Sequence, residues 1–476
     1  MDSVKLNDRT HPNLPLEILY QIVDDVYTAQ DHQLLSSISL TSHTLRFLCN
    51  KKRFASILLD SCEEHALMAR VRGLRDLINA EYSHQRPPTE MIGISSFIMT
   101  FSLRSVVFSC VLNNELMAPI MKRLFRKDGV LISPLSPRLL ELGPGFSIRP
   151  TVPVAEWGTF CEGFISAFRD LCQNSLLTSL HMTYSANVPR NLLHGSSKLK
   201  HLNLWAVDFA NINHDIPSPN PITFKYSGGG PFFLRSLHIS HELPLPNLLD
   251  AIGHGSARMT KRGLEEAFSQ LRTLKANLSH HCSVAPIIHA AKNLQSLAMA
   301  STVSSYGPSP SFSLDYHHLS YLKSIFICIS SSFHRPDHPA MKEMPELAIS
   351  LLGKRIPPNV SNIDLTFRIF QSVFQKCSAE QITSPFAVLA SYLQGSDFTK
   401  CVHITMRLHF ELGGFMDVSN KERIRECFNC VFGHVGREAD LDLQFVMSSI
   451  DWWDKCPTFS FPLPQSTDAD YCYDGA

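Results

Sequence analysis

The 476-residue chain carries 43 Lys and Arg against 43 Asp and Glu, so its formal net charge is zero. That balance argues against a general nucleic-acid binder, which needs a basic excess to meet phosphate charge. With 44% hydrophobic and 18% charged residues there is material for two or three domains or one elongated repeat array. No run of about 18 apolar residues marks a membrane span. The opening MDSVKLNDRTHPN lacks the apolar core of a signal peptide, and 13 cysteines form an odd number without framework spacing. They are expected as reduced thiols in a cytoplasmic or nuclear protein.

Residues 1–10 are polar and expected to be disordered. The stretch Leu14 to Phe54 then alternates apolar clusters at helical spacing. Asn13 offers a side-chain oxygen for a helix cap, and Pro15 suits a first turn, where its missing N–H costs nothing. Leu14, Ile18, Leu19, Ile22 and Val26 are predicted to share one stripe of a helix running to about Val26. A second apolar set follows at Leu34, Leu35, Ile38, Leu40, Leu45, Phe47 and Leu48. Its break at Leu40-Thr41-Ser42 predicts a helix end and a capped new start. Three such short helices bury little on their own, so the segment calls for a partner in its own chain or in another protein.

These residues resemble the F-box, in the form common among fungal F-box proteins that carry leucine-rich repeats. The match lies in Leu14-Pro15-x-Glu17-Ile18-Leu19, Ile22, Asp31 to Leu35, and Ser39-Leu40-Thr41-Ser42-x-x-Leu45-Arg46-x-Leu48. Thr41 and Leu45 stand where the family often has Val and Trp, and each keeps a β-branched or apolar side chain. The resemblance implies docking on a Skp-type adaptor, and through it on a cullin, by Leu14, Pro15, Glu17, Ile18, Ile22, Leu35, Leu40 and Leu45. Glu17 also fits the general preference of helix N-termini for carboxylates.

Beyond this segment, Arg53 to Leu59 reads as a strand and Glu63 to Ile78 as a helix, ending at the SHQRPPT break. From about residue 91 a strand-like form recurs, apolar-x-x-apolar-x-apolar. It is plain at Leu177 (LTSLHM), Leu199 (LKHLNL), Leu234 (LRSLHI), Leu294 (LQSLAM), Leu322 (LKSIFI) and Val360 (VSNIDL). Weaker copies stand at Leu271, Cys401 and Leu441, with an earlier candidate at Leu140. The spacings of 22, 23 and 28 residues (Leu180 to Leu202, Leu274 to Leu297, Leu297 to Ile325) fit a leucine-rich repeat. Longer gaps of 35 to 38 residues accommodate insertions such as Asp215 to Pro231 and Ser301 to Ser311.

Each unit is expected to give one short strand whose first, fourth and sixth residues point inward, with a helix or loop returning the chain to the next. Trp157 to Leu171, Pro286 to Ala291, Glu380 to Leu393 and Asn420 to Phe432 are predicted helices. The Asn or Cys that follows the strand in strong repeats is not regular here, so an ordinary α/β fold of βα units stays open beside the repeat reading.

The fold class expected is therefore α/β, an N-terminal three-helix F-box followed by a leucine-rich-repeat solenoid (horseshoe) with irregular repeats. Its parts are residues 1–10 (disordered), 11–55 (F-box), 56–90 (linker strand and helix), 91–457 (degenerate repeats) and 458–476 (polar tail). Residues between the apolar positions would face the concave groove: Ser179 and His181, His201 and Asn203, Ser236 and His238, Ser296 and Ala298, Ser324 and Phe326. They are small, polar or aromatic, suited to hydrogen bonding and apolar contact with a target protein or merely to solvating a sheet face.

No catalytic constellation stands out. Cys427-x-x-Cys430 with His434 resembles half a zinc site without a second knuckle, and reads as an apolar helix face with buried thiols. The pairs His280-His281 and His317-His318 lack the spacing of a metalloprotease helix, no G-x-S-x-G elbow occurs, and the stretches at Gly143 and Gly228 read as turns. Lys51-Lys52-Arg53 reads as a solvated helix end. The expected role is a non-catalytic substrate adaptor of a ubiquitin ligase, without metal, cofactor, nucleic-acid or membrane partner. The alternative is a repeat scaffold acting without a ligase, its helical N-terminus a cap that would bury Leu14, Pro15 and Ile18.

Overall fold

In the computed structural model the chain divides into two units, Met1–Glu141 with Cys161–Leu177, and Leu142–Phe160 with Thr178–Ala476. The structure describes residues 14–61, 63–83, 97–104, 108–124, 139–143, 155–174, 177–189, 192–193, 196, 198–210, 233–239, 244–252, 261–278, 284–303, 314–331, 340–353, 357, 359–370, 378–395, 403–411, 418–433, 435 and 440–448. The boundary expected near residue 90 thus falls inside the first unit. The Asp215–Pro231 insertion, Gly228, His280-His281, His434 and everything after Ser448 lie outside the described residues.

The first unit opens with three helices, α1 (Leu16–Thr28), α2 (His32–Ser39) and α3 (His43–Arg53). Pro15 takes the N-cap position of α1 in an extended conformation, and its carbonyl accepts from the N–H groups of Ile18 and Leu19. Asn13, expected as the cap, lies outside the described residues. Asp31 caps α2 by accepting from the Leu34 N–H at 2.9 Å, and Ser42 caps α3 by accepting from the Leu45 N–H at 3.1 Å. Gln30, at φ 57°, makes the left-handed turn between α1 and α2. The stop and restart predicted at Leu40-Thr41-Ser42 is therefore present.

Val23, Leu35, Leu48 and Cys49 form the centre of this trio, with Leu19, Tyr20, Val26, Ile38, Leu45 and Phe47 packed around them. The single stripe predicted for α1 is in fact two. Leu19, Val23 and Val26 turn inward, while Ile18 and Ile22 lie along a separate, exposed line, and Leu14 is exposed before the helix begins. The three basic residues Lys51, Lys52 and Arg53 fill the last turn of α3, where they suit the negative end of the helix dipole. Lys52 also pairs with Asp24 of α1 at 2.6 Å.

Strand β1 (Ser56–Asp60) follows, then helix α4 (Glu64–Ser83), and β2 (Thr100–Arg104) pairs with β1 in parallel. Helices α5 (Phe108–Leu112), α6 (Met117–Leu124) and α7 (Glu162–Asn174) complete the unit, with β3 (Leu139–Gly143) at its limit. Phe164 and Phe168 of α7, one turn apart as the sequence indicated, are fully buried.

The second unit is a nine-stranded parallel sheet whose strands stand in chain order. They are β5 (Ser179–Val188), β6 (His201–Phe209), β7 (Ser236–Ile239), β8 (Thr273–Leu278), β9 (Ser296–Val303), β10 (Ser324–Ser331), β11 (Asn362–Phe370), β12 (His403–Glu411) and β13 (Asp440–Ser448). A two-residue strand, β4 (Ala155–Glu156), adds to the far end of β5. Between the strands the chain returns through α8 (Leu245–Ala251), α9 (Lys261–Phe268), α10 (Ala285–Ala290), α11 (Ala340–Leu352), α12 (Ala379–Thr383), α13 (Ala387–Gly395) and α14 (Val418–Phe432). The single helix predicted over Glu380 to Leu393 is broken at Ser384–Phe386, where Pro385 cannot supply an N–H to the helical ladder.

The register explains the recurrent pattern. The fourth position of every unit stacks on that of the next: Leu180, Leu202, Leu237, Leu274, Leu297, Ile325, Ile363, Ile404 and Leu441. The sixth positions form a second row, from Met182 and Leu204 through Met299, Ile327 and Leu365 to Met406 and Leu443. From β5 to β12 these side chains are buried, as are the first positions Leu177, Leu199, Leu234, Leu271, Leu294, Leu322 and Val360. The returning segments pack on this apolar face: Tyr316 lies against Met299, and Phe386 meets Phe367 with ring centroids 4.9 Å apart.

The backbone repeats as regularly as the side chains. The residue just before each of five successive strands takes one carbonyl of the preceding unit. Lys200 donates to Thr178, Arg235 to Lys200, Arg272 to Arg235, Gln295 to Arg272 and Lys323 to Gln295, at 2.7 to 2.8 Å. An asparagine also recurs, before the strand rather than after it. Asn293 and Asn359, each just before the first apolar position of its unit, donate their side-chain amides to the carbonyls of Ser269 and Ser320. Those two serines occupy equivalent places, two residues before Leu271 and Leu322.

Candidate docking surfaces

Two surfaces, one on each unit, carry the residues singled out from the sequence. On the first, Ile18 (47% exposed) and Ile22 (38%) lie four apart along the outer line of α1, and Leu14, just before the helix, is 56% exposed. Pro15 and Glu17 are exposed beside them, and Leu40 at the end of α2 is 75% exposed. Two of the expected contacts are placed otherwise. Leu35 is 1% exposed, because its side chain fills the centre of the three helices, and it offers nothing to a partner. Leu45 is half-buried against the same centre. Leu16 and Leu34, which sequence reasoning did not select, are exposed instead. The periodicity that identifies an apolar residue does not say which of two opposite faces it occupies.

Such exposure has a physical meaning. An isolated surface leucine is ordinary, but a line of large apolar side chains on one helix marks a contact surface. The helix keeps its fold through the opposite line, so the outer line is free of any packing duty within the three helices.

The second surface is the polar face of the nine-stranded sheet. Ser179, His201, Ser236, Ser296 and Ser324 align in one row with Thr273, Asn362, His403 and Asp440. His181, Asn203, His238, Ala298 and Phe326 align in the next with Lys275, Asp364, Thr405 and Asp442. All of the concave-face candidates therefore fall on one face and in two rows. Their burial varies: Ser179, His181, Asn203, His238 and Ala298 are buried, Ser236, Ser296, Ser324 and Phe326 are half-buried, and His201 is exposed.

The face differs along its length. Over β5 to β7 these two rows are neutral, with Trp205 beyond them edge-on to His238 at 5.7 Å. Burial, reinforced by Lys275 and His181, drives the His238 imidazole down to about 3, so the ring is neutral near pH 7. Over β11 to β13 the face is charged. Arg407 pairs with Asp364 and donates through Nε to Gln444 at 3.0 Å, and Gln444 donates in turn to Asp442 at 2.5 Å. Burial raises the Asp364 carboxyl above its ordinary range despite the opposing Arg407. His409 is held down to about 4 by burial and by Arg368, which is itself 2% exposed. Sequence reasoning missed Asp364, Arg407, Arg368 and His409, although they occupy the same alternate positions of the later units.

The other chemistry-bearing residues remain apart. On α14 it is Phe428 and Phe432 that are buried. Cys427 is only half-buried and Cys430 is exposed, contrary to the buried-thiol expectation, because the two aromatic rings take the inward line. His317 pairs with Asp315 at 2.6 Å, and His318 stacks on His289 at 5.0 Å. Among the described residues no helix is long and apolar enough to cross a membrane. No protein-family model and no curated protein matches the chain.

Proposed function

We propose that the chain is a substrate-recognition adaptor of a Skp–cullin–F-box ubiquitin ligase. In this reading the three N-terminal helices are an F-box and the second unit is a leucine-rich-repeat array. The observation that carries it is the exposed line Ile18–Ile22, with exposed Leu14 just before it, on a helix already anchored by its opposite side. A helical cap on a repeat array would bury that line. The Skp-type adaptor would cover it together with Pro15, Leu40 and the neighbouring Leu34, burying apolar surface that otherwise faces water. The polar sheet face would hold a target protein, and the ligase would act by raising the effective concentration of activated ubiquitin near the target's lysines. The chain supplies binding and geometry while its partners supply the chemistry.

The test is co-purification of the full chain with the Skp-type adaptor, beside the Ile18→Glu/Ile22→Glu variant. Both residues face solvent, so the variant should melt within about 1 °C of the parent while losing the adaptor. A folded parent chain that captures no adaptor would leave the scaffold reading in its place.

A further inference from the structure

The neutral end of the polar sheet face contains a side chain whose hydrogen-bonding capacity is unused. Asn203 is 4% exposed, and neither Oδ1 nor Nδ2 has a hydrogen-bond partner. Buried amides are ordinarily satisfied, because desolvation is costly when no bond replaces water. Thr183, across the strand pair and one position further along, is 4% exposed and its Oγ1 is likewise unpartnered. His181 and His238 flank Asn203 in register on β5 and β7, and Trp205 stands next along β6. Among the described residues, no carboxylate, lysine or arginine occupies the polar rows of these three strands.

We propose that Asn203, between His181 and His238 and beside Thr183 and Trp205, is a subsite for the carboxamide side chain of Gln or Asn on a partner protein. The proposal rests on the reading of this face as the target-binding surface. A carboxamide presents a donor and an acceptor in one plane, the complement of Asn203 itself, and Thr183 adds a hydroxyl that can donate or accept. An ammonium would lose its hydration here with no counter-charge, a carboxylate would have only Lys275, two strands away on β8, and an aliphatic side chain would leave both Asn203 groups unpaired. Since the amide atoms have almost no open surface, the incoming group must be a slender protruding side chain, admitted when neighbouring side chains give way.

An unpaired buried amide also makes a stability forecast that a structural asparagine would not. Asn203→Leu keeps the size of the side chain and removes the two unmet groups, so folding should be unharmed while recognition is lost.

The experiment probes an array of 12-residue Ser/Ala-rich peptides with the full chain, each peptide carrying one central Gln, Asn, Glu, Lys or Leu. Retention of Gln and Asn peptides by roughly tenfold over the others, lost in Asn203→Leu with an unchanged or higher melting temperature, is the expected result. Three results overturn it: no carboxamide preference in the parent chain, the same preference in Asn203→Leu, or a variant that melts markedly lower. The Ile18→Glu/Ile22→Glu chain, run on the same array, keeps the two readings separate. It should retain the carboxamide preference whether or not the parent chain captures a Skp-type adaptor.

Discussion

Lowering the pH should loosen the sheet unit through its buried imidazoles, and His238 sets the size of the effect. Its folded form prefers to stay neutral, with a pKa of about 3 against an unfolded value of 6.5. The sign follows directly: above pH 6.5 neither state binds the proton, and below it the unfolded chain binds one that the folded chain refuses. Stability therefore falls as pH drops from 6.5 towards 3. At pH 5 the unfolded imidazole is almost wholly protonated and the folded one hardly at all, so this one residue removes about 2 kcal/mol. His409, held at about 4, acts in the same direction.

The described tryptophans, Trp157 and Trp205, both belong to the second unit, so urea unfolding followed by tryptophan fluorescence reports on the sheet unit. Between pH 7.5 and pH 5.0 the His238→Gln chain should lose about 2 kcal/mol less than the parent. Parallel losses in the two chains would refute the reasoning, because they would mean that His238 is protonated without penalty in the folded state.

Three further outcomes follow from packing. Leu35→Ala should cost about 2–5 kcal/mol of the first unit's stability and Leu40→Ala less than about 0.5, read as amide exchange across residues 14–53, because only the first side chain is buried. Gly353→Ala should lower stability by at least about 2 kcal/mol in a denaturant titration, since Gly353 holds φ 75° and a Cβ there would lie 2.3 Å from the Leu314 carbonyl oxygen. Asn293→Ala should cost about 1 kcal/mol by the same titration through loss of its bond to the Ser269 carbonyl.

The repeated strands were legible because their physics is periodic. Leu180, Leu202 and Leu237 had to point the same way for any parallel sheet to bury them, and the six-residue pattern states that in one line of sequence. The caps at Asp31 and Ser42 were legible for a similar reason, since the cap residue and the amide it serves lie three residues apart. What escaped was information held between distant residues. Leu35 and Leu40 look alike in the chain, and only the arrangement of three helices buries one and exposes the other. The asparagines of two units escaped because each serves a distant carbonyl, 24 residues back for Asn293 and 39 back for Asn359, a partner no local window contains. Arg407 and Asp364 are 43 residues apart and meet only because β11 and β12 are neighbours.

The strict neighbour-to-neighbour order of the sheet carries a consequence for how such a chain can change over generations. Its rows stay in phase although successive fourth positions are separated by 22 residues in one place and 41 in another. Loop length is thereby uncoupled from alignment. Insertions between strands leave every row intact, and an in-frame duplication of one unit adds a column without shifting the others. The exposed alternate positions of the polar face are uncoupled too, because neither the apolar rows nor the backbone ladder constrains their identity. Under the proposed function, such a chain could exchange one target for another through single codons on that face. The three helices proposed to meet the adaptor would remain unchanged.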